Sequence, residues 1–429
     1  MDTAIDIRRA TPDDAASIAD VWLASWRATF DFEPSHRDDD VRRWMATVLM
    51  PGSECWVAAE PAGRVVGILA LSDTMIEQLY LTPDWIGRGL GCQFMAVAKA
   101  RRPVGLDLYC FQVNARARRF YEGQGFAAVG FGDGSGNEEH QPDVHYAWRP
   151  VTPDRVVTSA DGTPIAVFST GVGPPLVLVH GTSADHTTFR VIGPRLAERF
   201  TVHAIDRRGR GASGDTTPYS IEREFEDVAA VASSIAAAGG GPVDVVGHSY
   251  GGRCALGAAL LTADIGRVVC YEGAPTPPGV RYGDAGLTAE LAALADRGAN
   301  DELLATFLTR VVGMDEADLA AYRANPVWAA RVAAAPTIVR EIRDEGSSAA
   351  GLDRLGRVRQ PVLQLLGGSS RSAFGAATRA LDERLANSAV VVIAGARHAA
   401  HHTHPGAVVE ALTAFLFDPR GEIYGIVRR

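Results

Sequence analysis

The sequence predicts an α/β protein built as two domains, and three observations carry that reading. Residues 241–252, Gly-Pro-Val-Asp-Val-Val-Gly-His-Ser-Tyr-Gly-Gly, pass from a β-branched run through a glycine-bounded turn into a small-residue helical pattern. Continuous apolar runs at 176–179 and 202–205 flank a helical stretch, as strands of a parallel sheet buried on both faces do. The N-terminal third has its own strand runs, a second glycine-rich turn opening a helix, and a closing proline pair at Pro150 and Pro153.

Length and composition agree with this division. A chain of 429 residues exceeds what one ordinary core accommodates, while 47% hydrophobic and 22% charged content is usual for a globular protein. No apolar run reaches the roughly 18 residues that a membrane span needs, and the first residues lack a secretory signal pattern, so a cytoplasmic location is expected. Net charge is −9, with both halves acidic, which argues against a nucleic-acid or anionic-membrane partner. The five cysteines are scattered without a C-x-x-C pair, so neither a disulfide framework nor a zinc site is expected. Lys99 is the sole lysine, which excludes a Walker-A loop and makes Schiff-base chemistry improbable.

The first domain is assigned to residues 1–150. Residues 5–10 alternate as a strand does. Thr11-Pro12-Asp13-Asp14 then supplies a helix start, and 15–26 continues with helical spacing. Runs at 55–59 and 65–71 around Glu60-Pro61-Ala62-Gly63 form a hairpin, and 75–83 is a further strand. It leads into Trp85-Ile86-Gly87-Arg88-Gly89-Leu90-Gly91 and a helix over 93–100. Such a turn offers free N–H groups and the positive end of a helix dipole to a phosphate.

This turn resembles the Q/R-x-x-G-x-G/A signature of GNAT-type acyltransferases, and residues 114–126, Asn-Ala-Arg-Ala-Arg-Arg-Phe-Tyr-Glu-Gly-Gln-Gly-Phe, resemble that family's later helix-and-strand signature. The resemblance covers residues 5–149. It implies acetyl-CoA as cofactor, with Gly87, Arg88, Gly89, Leu90 and Gly91 at its pyrophosphate, Leu81 beside the pantetheine and Asn114 as a further contact. It also makes Tyr121 the acid for the leaving thiolate, or else a core aromatic. Glu77 is either the base for the amine or the solvent face of a strand. Ile86 stands where the family has Gln or Arg, so one side-chain contact is lost. A catalytically silent module for binding or dimerisation, with a homodimer as its consequence, is the alternative reading of this domain.

The second domain is assigned to 151–429. His180-Gly181-Thr182-Ser183 follows one strand, Asp206-Arg207-Arg208-Gly209-Arg210-Gly211-Ala212-Ser213 follows the next, and the Ser249 turn comes third. In that order these motifs resemble the α/β-hydrolases. The resemblance implies a mostly parallel sheet with a helical cap at about 280–352 and a serine nucleophile at Ser249. His398, after the strand at 389–393, is then the base, and the N–H groups of Thr182 and Tyr250 form the oxyanion site. Glycines 209–214 also spell G-x-G-x-x-G, but no helix begins close enough to hold a pyrophosphate. His401, His402 and His404 are read as a solvated helix start, since they lack acidic or cysteine partners for a metal.

The acid is the difficulty. The loop after 361–366, where the family usually keeps it, reads Gly-Gly-Ser-Ser-Arg-Ser-Ala-Phe and holds no carboxylate. Glu272, at the end of the preceding strand, is the candidate; otherwise Glu272 caps a loop and a Ser–His dyad remains. Phe307, Tyr322 and Trp328 are read as cap core or as pocket lining. The chain is thus expected to pair an acetyl-CoA-dependent N-acyltransferase with a cofactor-free serine hydrolase, both acting on small molecules.

Overall fold

The computed structural model describes residues 5–417 apart from 285, 326 and 345. Two compact units make up the chain, Met1–Val151 and Thr152–Arg429.

In the first unit β1 (Asp6–Arg9), β2 (Glu54–Ala59), β3 (Val65–Leu71) and β4 (Ile76–Leu81) form an antiparallel sheet in that order. Every residue of β3 is buried, because helices cover both faces. One face packs on α1 (Ala15–Thr29) and α2 (Asp38–Trp44), the other on α3 (Leu90–Arg101). The glycine turn leads straight into α3, which begins three residues earlier than the apolar pattern implied. A second sheet holds β5 (Leu106–Phe111), β6 (Ala127–Gly132) and β7 (Asp143–Trp148) in the order β5-β7-β6, with α4 (Ala115–Gly123) before β6. The sheets touch through one parallel bridge, Met75 to Asp107, and through the Asp107 N–H donating to Thr74 O at 2.8 Å. Beyond that bridge β4 and β5 pair no further. Ile76 to Leu81 of β4 and Leu108 to Phe111 of β5 line one cleft together with Gly87, Gly89 and Gly91. Lys99 is half-buried on α3, donates to Gln124 O at 2.6 Å and lies 4.9 Å from the Trp148 ring centre.

The second unit is organised by an eight-stranded sheet. Its strands are β8 (Arg155–Thr158), β9 (Pro164–Thr170), β10 (Pro175–Val179), β11 (Thr201–Ile205), β12 (Val243–His248), β13 (Ile265–Tyr271), β14 (Val362–Gly367) and β15 (Ser388–Ile393). Their spatial order is β15-β14-β13-β12-β10-β11-β9-β8, parallel from β15 to β11 and antiparallel at β9 and β8. The continuous apolar runs follow from this layering. Val177 and Val179 enter the core shared with α6 (Ile221–Gly239) and α7 (Tyr250–Ala259), while Leu176 and Leu178 enter the core shared with α5 (Gly193–Ala197) and α14 (Pro405–Leu416). Between β13 and β14 lies a cap of α8 (Leu287–Asp296), α9 (Asn300–Phe307), α10 (Glu316–Arg323), α11 (Trp328–Ala334) and α12 (Thr337–Asp344). It has its own small core, which includes Leu291, Leu304, Phe307 and Trp328. Before β15 comes α13 (Ser372–Asp382). Among the described residues no helix is long and apolar enough to cross a membrane.

Candidate functional site

In the second unit β12 ends at His248 and α7 begins at Tyr250, so Ser249 stands alone at the apex with φ 54° and ψ −127°. That conformation costs a non-glycine residue about 1–3 kcal/mol and persists only where its surroundings impose it. Here the Ser249 N–H donates to Tyr271 O at 2.7 Å, and Ser249 O accepts from the Gly252 N–H at 2.8 Å. A Cβ at Gly247 would lie 2.3 Å from Gly251 O, and one at Gly251 would lie 2.3 Å from Val179 O, so the flanking glycines are sterically required. Ser249 is half-buried, and its Oγ has no hydrogen-bond partner among the described residues.

The loop after β10 approaches this apex closely. His180 is fully buried and links two motifs: Nδ1–H donates to Gly181 O at 2.8 Å, and Nε2 accepts from the Arg207 N–H at 2.9 Å. Burial, then the Arg207 charge, holds it neutral by pushing its pKa well below the usual value. Neither the Thr182 nor the Tyr250 N–H donates to a backbone carbonyl among the described residues, so both remain available.

His398 follows β15, buried against the Phe374 ring at a 4.5 Å centroid distance. Its Nδ1 lies 2.6 Å from Glu272 Oε2, while Glu272 Oε1 accepts from the Gly367 N–H at 2.7 Å. The loop where a carboxylate was sought therefore contributes an amide that holds the carboxylate from β13. Glu272 is buried and also sits at positive φ, 47°, fixed by its N–H donating to Leu365 O at 3.1 Å. With Nδ1 engaged, Nε2 is the nitrogen free to take a proton. No hydrogen bond joins His398 to Ser249 among the described residues; such contacts commonly close when substrate binds.

Two residues that sequence reasoning missed pin the base. The Tyr271 hydroxyl accepts from the Ala400 N–H and donates to Arg397 O, each at 2.7 Å, clasping His398 from both sides. His248 Nε2 donates to His398 O at 2.9 Å. No motif marks either role; both follow from the pairing of β12 with β13.

The histidine run after His398 differs from the expected solvated helix start. His401 is buried with both ring nitrogens unpartnered, 4.4 Å from His248 and 4.2 Å from His402 between ring centres. Burial, then the neighbouring rings, holds His401 neutral, and burial with the Arg190 and Arg331 charges pushes His402 down to about 4. Burial thus sets the uncharged state of these rings, and the two unpartnered His401 nitrogens carry a desolvation cost.

The D-R-R-G-R-G stretch is an electrostatic anchor. Arg207 binds Glu224 with two hydrogen bonds of 2.7–2.8 Å and reaches Glu341 of α12 at 2.7 Å. Arg210 joins the same two carboxylates, and Arg208 binds Asp227 with two 2.7 Å bonds. The cap is thereby tied to the sheet beneath Tyr250, whose ring lies 4.8 Å from the Arg207 guanidinium. Phe307 and Trp328 belong to the cap core, and Tyr322 packs against Trp328. Asp185, His186 and Asp206 also converge. Their donors are spent internally: Asp206 accepts from the His186 and Ala212 N–H groups, and Asp185 from Thr187.

In the first unit a cleft of about 1950 Å³ brings Glu77, Leu81, Gly87, Gly89, Gly91, Asn114 and Tyr121 to one lining. Arg88 and Leu90 do not line it with their side chains: Arg88 lies 5.2 Å from the Trp85 ring centre, and the Leu90 side chain is buried in the core while its N–H stays in the run of free amides. Gly87 and Gly89 adopt φ of 85° and 83°, and the N–H groups from Gly87 to Gly91 make no backbone hydrogen bond among the described residues. Free amides at a helix start, on a cleft that β4 and β5 also line, suit a pyrophosphate with an extended arm. Asn114 Oδ1 caps α4 by accepting from the Ala117 N–H at 3.0 Å, which leaves its amide nitrogen and one oxygen lone pair for a ligand. Burial raises the Tyr121 phenol well above its usual pKa, keeping it protonated.

Comparison with known proteins assigns both units. Residues 176–411 match the alpha/beta hydrolase family and residues 51–128 the acetyltransferase (GNAT) domain. An alpha/beta hydrolase from Sphaerobacter thermophilus is 32% identical with a TM-score of 0.53, covering 61% of this chain and all of its own. The 2-(acetamidomethylene)succinate hydrolase of Mesorhizobium japonicum is 28% identical over 57% of this chain and 89% of its own. The peptidyl-lysine N-acetyltransferase YjaB of Salmonella typhimurium is 28% identical over 29% of this chain and 86% of its own. A 102-residue stretch, 23% of the chain, is 38% identical to the probable oxidoreductase EphD of Mycobacterium tuberculosis but spans only 17% of that protein. This chain belongs to the alpha/beta hydrolase family and carries a GNAT acetyltransferase domain ahead of its hydrolase domain.

Proposed function

We propose that the chain is a bifunctional enzyme, an acetyl-CoA-dependent N-acyltransferase joined to a serine hydrolase that cleaves an ester, thioester or amide of a small molecule. The observation that carries the hydrolase reading is the buried 2.6 Å contact between Glu272 and His398, made beside a serine held in a strained turn. Ser249 Oγ attacks the substrate carbonyl and passes its proton to His398 Nε2. Glu272 keeps the Nδ1–H tautomer and stabilises the imidazolium. The Thr182 and Tyr250 N–H groups receive the oxyanion, each donor contributing about 3–4 kcal/mol. His398 then protonates the leaving group, and water repeats the sequence to release the acid. Ser249→Ala abolishes hydrolysis of small activated esters; unchanged hydrolysis overturns the assignment.

For the first unit, acetyl-CoA when bound supplies the activated acyl group. The amides from Gly87 to Gly91 would hold its pyrophosphate and Leu81 would flank its arm, with Glu77 as the group that would take a proton from the amine and Tyr121 as the one that would supply a proton to the departing sulfur. The likeness to an N-acetyltransferase supports an amine acceptor. A second reading, in which this unit binds acetyl-CoA without turnover, is favoured by Ile86 and by the use of Asn114 as a cap. Thermal stabilisation by acetyl-CoA without thiol release from any amine would select it.

A further inference from the structure

The loop that presents the Thr182 amide is held less by itself than by the cap. Between Gly181 and Asp185 the backbone makes one hydrogen bond of its own among the described residues, from the Ala184 N–H to Gly181 O at a long 3.4 Å. Ser183, buried at the centre of this loop, sits at φ 52°. A non-glycine residue keeps that conformation only where its surroundings impose it. The other donor, the Tyr250 amide, opens a helix of ten residues beside glycines that sterics require, so it carries its own scaffold. The Thr182 amide has none, and its direction depends on what fixes the two ends of the loop.

One end is fixed from the sheet, where His180 Nδ1–H donates to Gly181 O and Nε2 accepts from the Arg207 N–H. The other end is Asp185, which begins the short turn His186–Phe189 and accepts from the Thr187 N–H at 2.9 Å. Its second oxygen, Oδ2, lies 2.9 Å from Arg331 Nη1 of α11. The same guanidinium donates from Nη2 to Thr187 Oγ1 at 3.0 Å and from Nε to the Tyr322 hydroxyl of α10 at 3.3 Å. Burial opposes ionisation of the Asp185 carboxyl, but the Arg331 charge holds it below its usual pKa, so the pair is charged at neutral pH. Arg331 is 2% exposed. Taking a guanidinium and a carboxylate out of water costs about as much as their attraction returns, so such a pair adds little net stability. What it supplies, and an apolar contact would not, is a fixed direction.

Resting on the serine hydrolase reading above, we infer that Arg331 is a positioning residue for the oxyanion site: from the cap it holds Asp185, and through Asp185 the strained turn that aims the Thr182 amide beside Ser249. The turn and the serine are in direct proximity, since a Cβ at Gly181 would lie 2.9 Å from Ser249 Cβ. Arg331 acts through the loop and not on the substrate. Its effect therefore falls on the charge that develops on the carbonyl oxygen in the transition state, and the neutral substrate binds as before.

The test uses the full chain, with kcat and KM for para-nitrophenyl acetate and inhibition by a short-chain alkyl trifluoromethyl ketone, whose serine adduct carries the oxyanion. Arg331→Met should lower kcat by roughly 10- to 100-fold with KM within about 3-fold of the wild-type value, and should weaken the ketone by a similar factor, as a displaced donor does. Arg331→Lys, which can pair with Asp185 but not bridge it to Thr187 and Tyr322, should restore part of the loss. Asp185→Asn, isosteric and uncharged, should lower kcat by roughly 10-fold. The double variant Arg331→Met/Asp185→Asn leaves neither partner of the pair charged, so it reads the effect even where Arg331→Met fails to fold; its loss should match the larger single loss and not the product of the two. Wild-type kcat in folded Arg331→Met or in the double variant, or a loss carried by KM with the ketone bound at full strength, overturns the inference alone. If the wild-type chain leaves the ester intact, or Ser249→Ala still hydrolyses it, the hydrolase reading falls and the inference with it.

Discussion

Glu272 and Tyr271 are adjacent in sequence and serve the same histidine from opposite directions. Glu272 holds the Nδ1 side of the ring, and Tyr271 holds the backbone on both sides of it. Glu272→Gln should leave the geometry intact and present the wrong tautomer, lowering kcat by about 10³–10⁴-fold with KM little changed. Tyr271→Phe should have a milder effect, roughly 10-fold in kcat, because the loop loses two restraints but keeps the His248 bond. Rates of Ser249 labelling by a fluorophosphonate, measured across pH in both variants, separate them: the Gln variant loses the pH step of the base and the Phe variant retains it. At this scale sequence order and motif spacing single out Ser249, His398 and Glu272, since strand ends and glycines are written locally. The roles of Tyr271 and His248 were illegible because each depends on register between strands, and a single sequence carries no register.

Among the elements, α12 is the one whose position rests most on charge. Glu341 faces Arg207 and Arg210 with all three side chains buried, so removing it leaves two desolvated cations against Glu224 alone. Glu341→Ala should cost about 3–5 kcal/mol and expose the cap to limited proteolysis before the sheet unfolds. Burial opposes the ionised form of Glu224, but Arg207 and Arg210 outweigh it and hold that carboxylate below its ordinary pKa. Its contribution is therefore complete above the ordinary carboxylate range and is lost as pH falls below it. The turn bearing His402 adds an earlier loss. That histidine titrates near 4 when folded against 6.5 as a free side chain, so the unfolded chain binds more protons between those values. Stability should fall as pH drops from about 6.5 toward 4, and His402→Asn should flatten that slope in denaturant titrations. The cap helices were legible from leucine spacing, but the anchor was not. A run of arginines reads as a solvated face until the carboxylates that bury it are located 14 to 134 residues away.

For the whole molecule, separate cores in the two units imply separate cooperative transitions. Calorimetry should resolve them, with acetyl-CoA raising the transition of the first unit by mass action and leaving the second unmoved, and with Ser249→Ala changing neither. Both fold classes were readable because each rests on strand and turn patterns that recur along the chain. The cleft of the first unit was not, since Glu77, Gly89 and Asn114 come from segments that meet only after folding. On the acyltransferase reading, the tethering of Lys99 has a consequence for self-modification. The chain's one lysine ammonium is already bound to a carbonyl and stacked over an indole, and every other basic side chain capable of a permanent charge is a guanidinium, which acetyl thioesters do not modify. Those side chains would offer almost no amine to a bound acetyl thioester, so on that reading the chain could stand in a large excess of acyl donor without accumulating self-inflicted acetyl marks on its side chains.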